Sequence, residues 1–264
     1  MLIGKPGAAR TAISAASSDR IVVRGRDLAR DLMGRATFTD YAFLLATGRA
    51  PTDDQRFFLD LCLVALAEHG LTPSVQAARM TYDADPAVLQ GAIAAGILGC
   101  GTVILGAADL CRRLIEDVLA RAENAGSLEA AALAVAHEHR KERRTLPGYG
   151  HPLHKPVDPR AERMIALARE RGAAGRSVEA ALAQTKAAAE AWGKLLPMNV
   201  SMTIAATLRD VDVPPGLIRA VPILARAAGL IAHCIEEAET PIGFLMASKG
   251  EEAIAHVAEA EGAA

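Results

Sequence analysis

The sequence predicts an almost wholly helical protein, and three observations carry that reading. From Thr37 onward, apolar residues recur at helical spacing in nearly every stretch between turn signals. Hydrophobic content is 51% but aromatic content only 3%, so the core must be built from Ala, Leu, Ile and Val, a composition suited to closely packed helices. The one β-prone stretch, Ile21-Val22-Val23-Arg24, is short and reads as a small strand or hairpin after Ser17-Ser18-Asp19.

Taken in chain order, Phe57 to Glu68 reads as an amphipathic helix with Gly70 at its C′ position, and a further helix starts near Ser74. Gly91 to Ala108 then runs without a charge, close to the ~20 residues needed to cross a bilayer. Its many small residues favour a tightly packed interior or a subunit interface instead, and Gly99-Cys100-Gly101 should break it into two helices. Cys111 to Glu123 and Leu128 to Arg144 follow as helices, the latter ending in the basic run Arg140 to Arg144. His137 and His139 are two apart and share no helix face, so they make no metal site. Further helices are expected near 160–171, 177–195, 200–210 and 216–239. The last, from about Lys249, should fray into the alanine-rich tail.

The loop between the helices ending at 144 and starting at 160 carries the most information. Pro147-Gly148-Tyr149-Gly150-His151-Pro152 forbids a helix, and Asp158-Pro159 then supplies an N-cap and a proline at the first helical position. Met164, Ile165, Leu167 and Ala168 form the apolar face of the helix that follows. Arg160 lies in its first turn, where the helix dipole disfavours a cation by roughly 0.3–1 kcal/mol. Exposed amides and an arginine at one helix start suit a carboxylate, although a solvated arginine on a surface loop would read the same way. His154, three residues after His151, is either a second imidazole able to exchange protons near neutral pH or a loop-packing, phosphate-facing group.

Three other positions stand out. Arg226 has Pro222, Ile223, Gly229 and Leu230 as its helical neighbours, so an internal acid, a ligand carboxylate or snorkelling to solvent must satisfy its charge. His69, in Glu68-His69-Gly70, sits at a helix end, where an imidazole can simply favour the negative end of the dipole. His233, one turn after Gly229 and Leu230, reads as a packing histidine.

At 264 residues the chain can form one large domain or two unequal ones. A net charge of −2 offers no electrostatic case for nucleic acid or a membrane surface. The four cysteines form no C-x-x-C pair and read as buried thiols in a reducing compartment. The first residues lack a continuous apolar run, so a secretory signal is not expected and a cytoplasmic location is.

Together these segments resemble the citrate synthase superfamily, and specifically its short citryl-CoA lyase-like members. Gly148-Tyr149-Gly150-His151 through Lys155 and Asp158-Pro159-Arg160-Ala161 is similar to that family's G-[FY]-G-H…K…D-P-R-A signature. Glu68-His69-Gly70 resembles its first histidine motif, Asn199-Val200 its N-V-D, and Leu224 to Gly229 its S-R-x-x-G helix. Thr11 to Ser14, Arg24 to Leu28 and Leu44 to Gly48 resemble its N-terminal pattern, so the likeness covers nearly the whole chain in order.

The resemblance implies an all-α, citrate synthase-like two-domain helical fold. The large domain would take residues 1–105 and 207–264 and the small one 106–206, in a homodimer with the Gly-rich helices near its interface. His151 would bond the substrate's hydroxyl or carbonyl oxygen and shuttle its proton, His69 would bind the keto-acid part, and Arg160 and Arg226 would clamp carboxylates. The His151 loop, with Tyr149 and Lys155, would border the site for a coenzyme A thioester co-substrate; no metal, nucleic acid or membrane partner is implied.

Three positions depart from the pattern. Leu105 stands where the family has the histidine that holds the thioester oxygen, Ser201 where it has the aspartate that removes the acetyl α-proton, and Thr240 where it has a third arginine. General base catalysis contributes about 10²–10⁴-fold, so citrate synthesis by the usual route is not expected. The expected activity is carbon–carbon cleavage of a hydroxy-carboxy-acyl-CoA, with His151 or His154 taking the hydroxyl proton and Ser201, a backbone N–H or water serving the enolate. The alternatives are decarboxylation or hydrolysis of a carboxy-acyl-CoA, and a non-catalytic acyl-CoA or carboxylate binder.

Overall fold

The computed structural model describes residues 9–151 and 153–256. The alanine-rich tail, where the last helix was expected to fray, lies outside the described residues, as does Pro152. The chain opens with a three-stranded antiparallel sheet in the order β1 (Ser14–Ala16), β2 (Ile21–Val23), β3 (Arg26–Asp27). Arg24 and Gly25, both at positive φ, turn β2 into β3. A π-helical turn at Leu28–Leu32 follows, capped by the Asp27 carboxylate, and Val23, Leu32 and Leu44 pack together beneath it.

Twelve helices follow: α1 (Phe38–Thr47), α2 (Asp53–Ala67), α3 (Pro73–Ala84), α4 (Leu89–Leu98), α5 (Gly101–Ile104), α6 (Ala107–Ala125), α7 (Leu128–Lys141), α8 (Pro159–Glu170), α9 (Arg176–Trp192), α10 (Val200–Asp210), α11 (Pro215–Glu239) and α12 (Gly243–Ala253). The start of α2 lies four residues before the expected Phe57, because Thr52 and Gln55 form a reciprocal capping box. Its end also differs. Glu68 turns extended, and Gly70 reaches positive φ only in the loop beyond, so Gly70 is not the C′ residue. The break expected at Gly99-Cys100-Gly101 falls between α4 and α5.

Two large apolar clusters share their central helices. One is built from α6, α7, α9 and Leu146, with Ile165 of α8 and Met202, Ala205 and Ala206 of α10. The other joins α1, α2 and α11 to Met164 and Ala168 of α8 and to Val200, Ile204 and Leu208 of α10. The helical period places successive faces of α8 and α10 in different cores. Helix α10, which spans residue 206, contributes side chains to both clusters.

A third, smaller cluster packs α3 and α4 against Leu230 and Cys234 of α11. Helix α11 is itself long and apolar enough to cross a membrane, a property the sequence reading attached to Gly91–Ala108 instead. Here α11 lies against α2, α3, α4 and α6 and buries Arg226 and Glu237. Pro222 inside it has no N–H, which leaves the Ile218 carbonyl without its helical donor.

The crossing of α11 over the end of α2 depends on Gly229. A Cβ there would lie inside the van der Waals envelope of the Ala67 carbonyl and close to Glu68. Gly229→Ala is therefore expected to destabilise the protein by about 1–3 kcal/mol, the usual cost of overpacking. A urea midpoint unchanged from wild type would contradict this contact.

Candidate active site

The loop expected to carry function is fastened at both ends. Gly148, at φ +83, lies so close to Met202 and Cys111 that a Cβ would come within 2.7–2.8 Å of their side chains. Its carbonyl accepts from Asn199 N at 2.9 Å, Gly150 N donates to the Pro197 carbonyl at 2.7 Å, and Tyr149 pairs with Met198 as an isolated bridge. Tyr149 was expected at the coenzyme. Instead it is buried in the α6–α7–α9 core and its hydroxyl donates to the Ala181 carbonyl at 2.7 Å, so it anchors the loop and offers a ligand no hydroxyl.

At the far end, Asp158 caps α8 and is 1% exposed. Its Oδ1 accepts from Arg160 N (3.1 Å) and Arg160 Nε (3.0 Å), and its Oδ2 from Arg160 Nη2 (2.9 Å) and Val200 N (3.1 Å). One carboxylate thus ties the starts of α8 and α10 together. Burial pushes its pKa up, but the hydrogen bonds and charge of Arg160 prevail and hold it below the usual carboxylate range. Arg160, expected to clamp a ligand, already has its Nε–Nη2 fork filled by this internal partner.

Between these anchors, tertiary structure brings His69 to His151 and His154 of the loop, across 85 residues of sequence in the case of His154. His69 Nε2 and His154 Nε2 are 3.1 Å apart, so one imidazole donates to the other. His151 stacks on His154 with ring centroids 4.4 Å apart. His151 Nδ1 accepts from Leu153 N at 3.1 Å and His154 N at 2.9 Å, which puts the proton of the neutral ring on Nε2. Burial, then the charges of Arg160, His154 and Arg226, lower the pKa of His69; burial and His154 lead in lowering that of His151.

The three rings bring one nitrogen each within 4.8 Å of one another, near enough for a metal ion to be considered. The hydrogen bonding of His151 does not suit one. A metal-bound imidazole uses its second nitrogen as a donor, whereas the Nδ1 of His151 faces two N–H groups.

A second group forms around Arg226, which is 5% exposed and whose Nε and Nη1 have no hydrogen-bond partner. It lines a cavity of about 30 Å³ with Ser201, Leu105, Leu66, Ile104, Ala108, Ile204 and Pro222. Two of the three departures from the family pattern, Leu105 and Ser201, therefore flank the unpaired arginine. Ser201 sits in the first turn of α10, where the helix dipole favours negative charge, and its Oγ takes no partner among the described residues. The third departure, Thr240, is the exposed C-cap of α11, and its carbonyl accepts from Arg79 at 3.2 Å. Lys155 borders an open cleft: with His151, Gly150, Lys194 and Pro197 it rims a cavity of about 610 Å³.

Sequence reasoning missed the support behind His69. Glu68 Oε1 accepts from His69 N at 2.8 Å and from Gly70 N at 2.5 Å, and Glu68 Oε2 meets His233 Nε2 at 2.8 Å. His233 is thus no mere packing residue. Its Nδ1 faces Arg79, a buried guanidinium that also holds Glu236 and Glu237. Glu237 in turn caps the start of α12 through Ile242 N and Gly243 N, each at 2.6 Å. Nothing in local spacing signals this chain, since Arg79 and Glu237 lie in helices far apart in sequence.

The sequence model for the citrate synthase C-terminal domain matches residues 53–243. The chain belongs to the citrate synthase family. Its fold is similar to that of citryl-CoA lyase from Hydrogenobacter thermophilus, with 26% identity over 98% of each chain and a TM-score of 0.82. ATP citrate lyase from Methanothrix soehngenii, solved with citrate and coenzyme A, has the same fold at 22% identity and TM-score 0.76; the match covers 98% of this chain and 43% of that one. Citrate synthase from Thermoplasma acidophilum, solved with carboxymethyl coenzyme A and oxaloacetate, shares it at 19% identity and TM-score 0.63, over 77% of this chain and 54% of that one. No curated protein matches the chain by sequence.

The lowered histidine pKa values of this family member have a stability consequence. Unfolded histidines titrate near 6.5, while His69 and His151 titrate lower when folded. The unfolded chain then binds more protons as pH falls through 6.5, so these groups subtract stability on the acid side and none above it. Without substrate, Tm should drop from pH 7.5 to pH 5.5 more steeply for wild type than for the double variant His69→Gln, His151→Gln; equal slopes would contradict it.

Proposed function

We propose that this chain cleaves a carbon–carbon bond in a 3-hydroxy-3-carboxyacyl-CoA, releasing a shorter acyl-CoA and a 2-oxo acid. The observation that carries the reading is the cluster of His69, His151 and His154, whose charge environment includes Arg226, a buried arginine whose Nε and Nη1 have no partner among the described residues. An unpaired buried guanidinium is costly, and a substrate carboxylate is the partner it lacks. Full-length similarity to a citryl-CoA lyase supports the same chemistry.

The substrate carboxylate pairs with Arg226. His154, hydrogen-bonded to His69, takes the proton of the hydroxyl, and the pair can pass it between their Nε2 atoms. The electrons of that O–H bond form the new C=O, and the electrons of the breaking C–C bond move onto the thioester as an enolate. His151 presents Nε2–H and donates to the oxygen of the forming ketone. With Leu105 unable to donate, the hydroxyl of Ser201 and the positive end of α10 serve the enolate oxygen until its carbon is reprotonated. The coenzyme lies in the cleft rimmed by Lys155 and Lys194, whose ammonium groups suit its phosphates.

Decarboxylation or hydrolysis would need no second carbon fragment to leave as a 2-oxo acid, so product analysis separates the reactions. Incubation with citryl-CoA, followed by mass spectrometry, should show acetyl-CoA and oxaloacetate appearing together. His154→Phe should lower kcat by about 10²–10⁴-fold, the range for loss of a general base. Arg226→Ala should lower kcat/KM by at least tenfold, since a charge-assisted hydrogen bond contributes about 1.5–3 kcal/mol. Full turnover in His154→Phe with none in His151→Ala would refute the division of roles.

A further inference from the structure

We infer that His233 of α11 is a positioning residue: held in one tautomer by Arg79, it fixes the carboxylate of Glu68 and, through it, the imidazole of His69. The lyase reading supplies what His69 does; how it is held follows from geometry alone. The order of donors is decisive. An arginine N–H can only donate, so the contact of Arg79 Nη1 with His233 Nδ1 at 3.3 Å makes that nitrogen an acceptor. The proton of the neutral ring then sits on Nε2, 2.8 Å from Glu68 Oε2. Glu68 Oε1 accepts in turn from His69 N at 2.8 Å and from Gly70 N at 2.5 Å. Arg79 is itself fixed, buried against Glu236 and Glu237.

The turn needs such a support. Helix α2 ends at Ala67, Glu68 is extended and Gly70 lies at φ +76, so His69 stands outside any helix. Its Nε2 nonetheless meets that of His154 at 3.1 Å, a distance at which a small shift of the backbone breaks the hydrogen bond. The Glu68 side chain is 49% exposed, so on its own it would exchange between rotamers and hold the turn loosely. The His233 side chain is only 14% exposed and is locked by Arg79.

A second observation is independent of these hydrogen bonds. Helix α11 approaches the turn so closely that a Cβ on Gly229 would fall 3.3 Å from Glu68 Oε2. Gly229 and His233 are one helical turn apart on the same face, so backbone and side chain of α11 meet Glu68 together. Arg226 lies on that face two turns before His233. One helix therefore holds both the arginine assigned to the substrate carboxylate and the support of His69.

The test compares full-length wild type with His233→Phe, which keeps a ring but loses the donor, and His233→Gln, whose amide N–H can stand in for Nε2–H. Imidazole resonances are recorded by NMR without ligand and assigned with single His→Gln variants. The His69 and His154 signals should move in His233→Phe and return toward wild type in His233→Gln, while that of His137 stays. Glu68→Gln sets an amide donor against either His233 Nε2–H or the two backbone N–H groups, so it should move the same signals even if His233→Phe does not fold. With citryl-CoA, His233→Phe should lower kcat by roughly 10- to 100-fold, up to the cost of a misplacement of about 1 Å. Added to His69→Gln, it should lower kcat no further. Losses that multiply in the double variant would overturn the role, as would unmoved His69 signals in both His233→Phe and Glu68→Gln. Signals that move while wild type cleaves no citryl-CoA would uphold the positioning role and remove the lyase reading.

Discussion

The carboxylate of Asp158 is the constraint on which the rest of the site depends. It is buried, and it accepts from the first turns of two helices and from the side chain of Arg160 at once. Two helix starts that both need acceptors for their N–H groups are brought together over one negative charge. That junction fixes the end of the histidine loop relative to α10, and so fixes His151 and His154 relative to Ser201. It also answers the charge of Arg160 internally, which changes what that arginine can do for a ligand.

A second constraint is protonation. The peptide N–H groups of residues 153 and 154 point at one nitrogen of His151 and choose its tautomer. Burial and nearby guanidinium charge then keep His69 and His151 neutral around pH 7. A neutral imidazole can both donate and accept, which an imidazolium cannot. The backing network of Glu68, His233 and Arg79 gives His69 a rigid backbone without adding a charge to the imidazoles themselves.

The substitutions at 105 and 201 gain meaning from sharing one small cavity with Arg226. Separately each is a lost catalytic group. Side by side they place an apolar wall and a hydroxyl at a helix start next to a buried guanidinium whose Nε and Nη1 have no partner among the described residues. A retro-aldol step takes its proton from oxygen and so needs no base for an acetyl α-proton, but it still expels an enolate that a donor must stabilise.

The sequence by itself determined most of the fold. Helix-period apolar patterns, the Asp158-Pro159 start and the Gly99–Gly101 break are local signals, and each reappears within a few residues. Motif order and an arginine on an apolar face also drew attention to His69, His151, His154, Ser201 and Arg226, of which the fold brings the three histidines together and sets Ser201 beside Arg226. Other features were outside the reach of the sequence. Tyr149 stood in a functional motif yet serves packing, and His233 stood on an apolar stretch yet serves a charge network. Whether Arg160 or Arg226 was free could not be read from either one's neighbours. An arginine's partner is set by which distant element packs over it, and hydrogen bonding is decided at distances near 3 Å that only the assembled helices define. Local periodicity therefore chose the elements, and tertiary contact chose which charges remained open to a substrate.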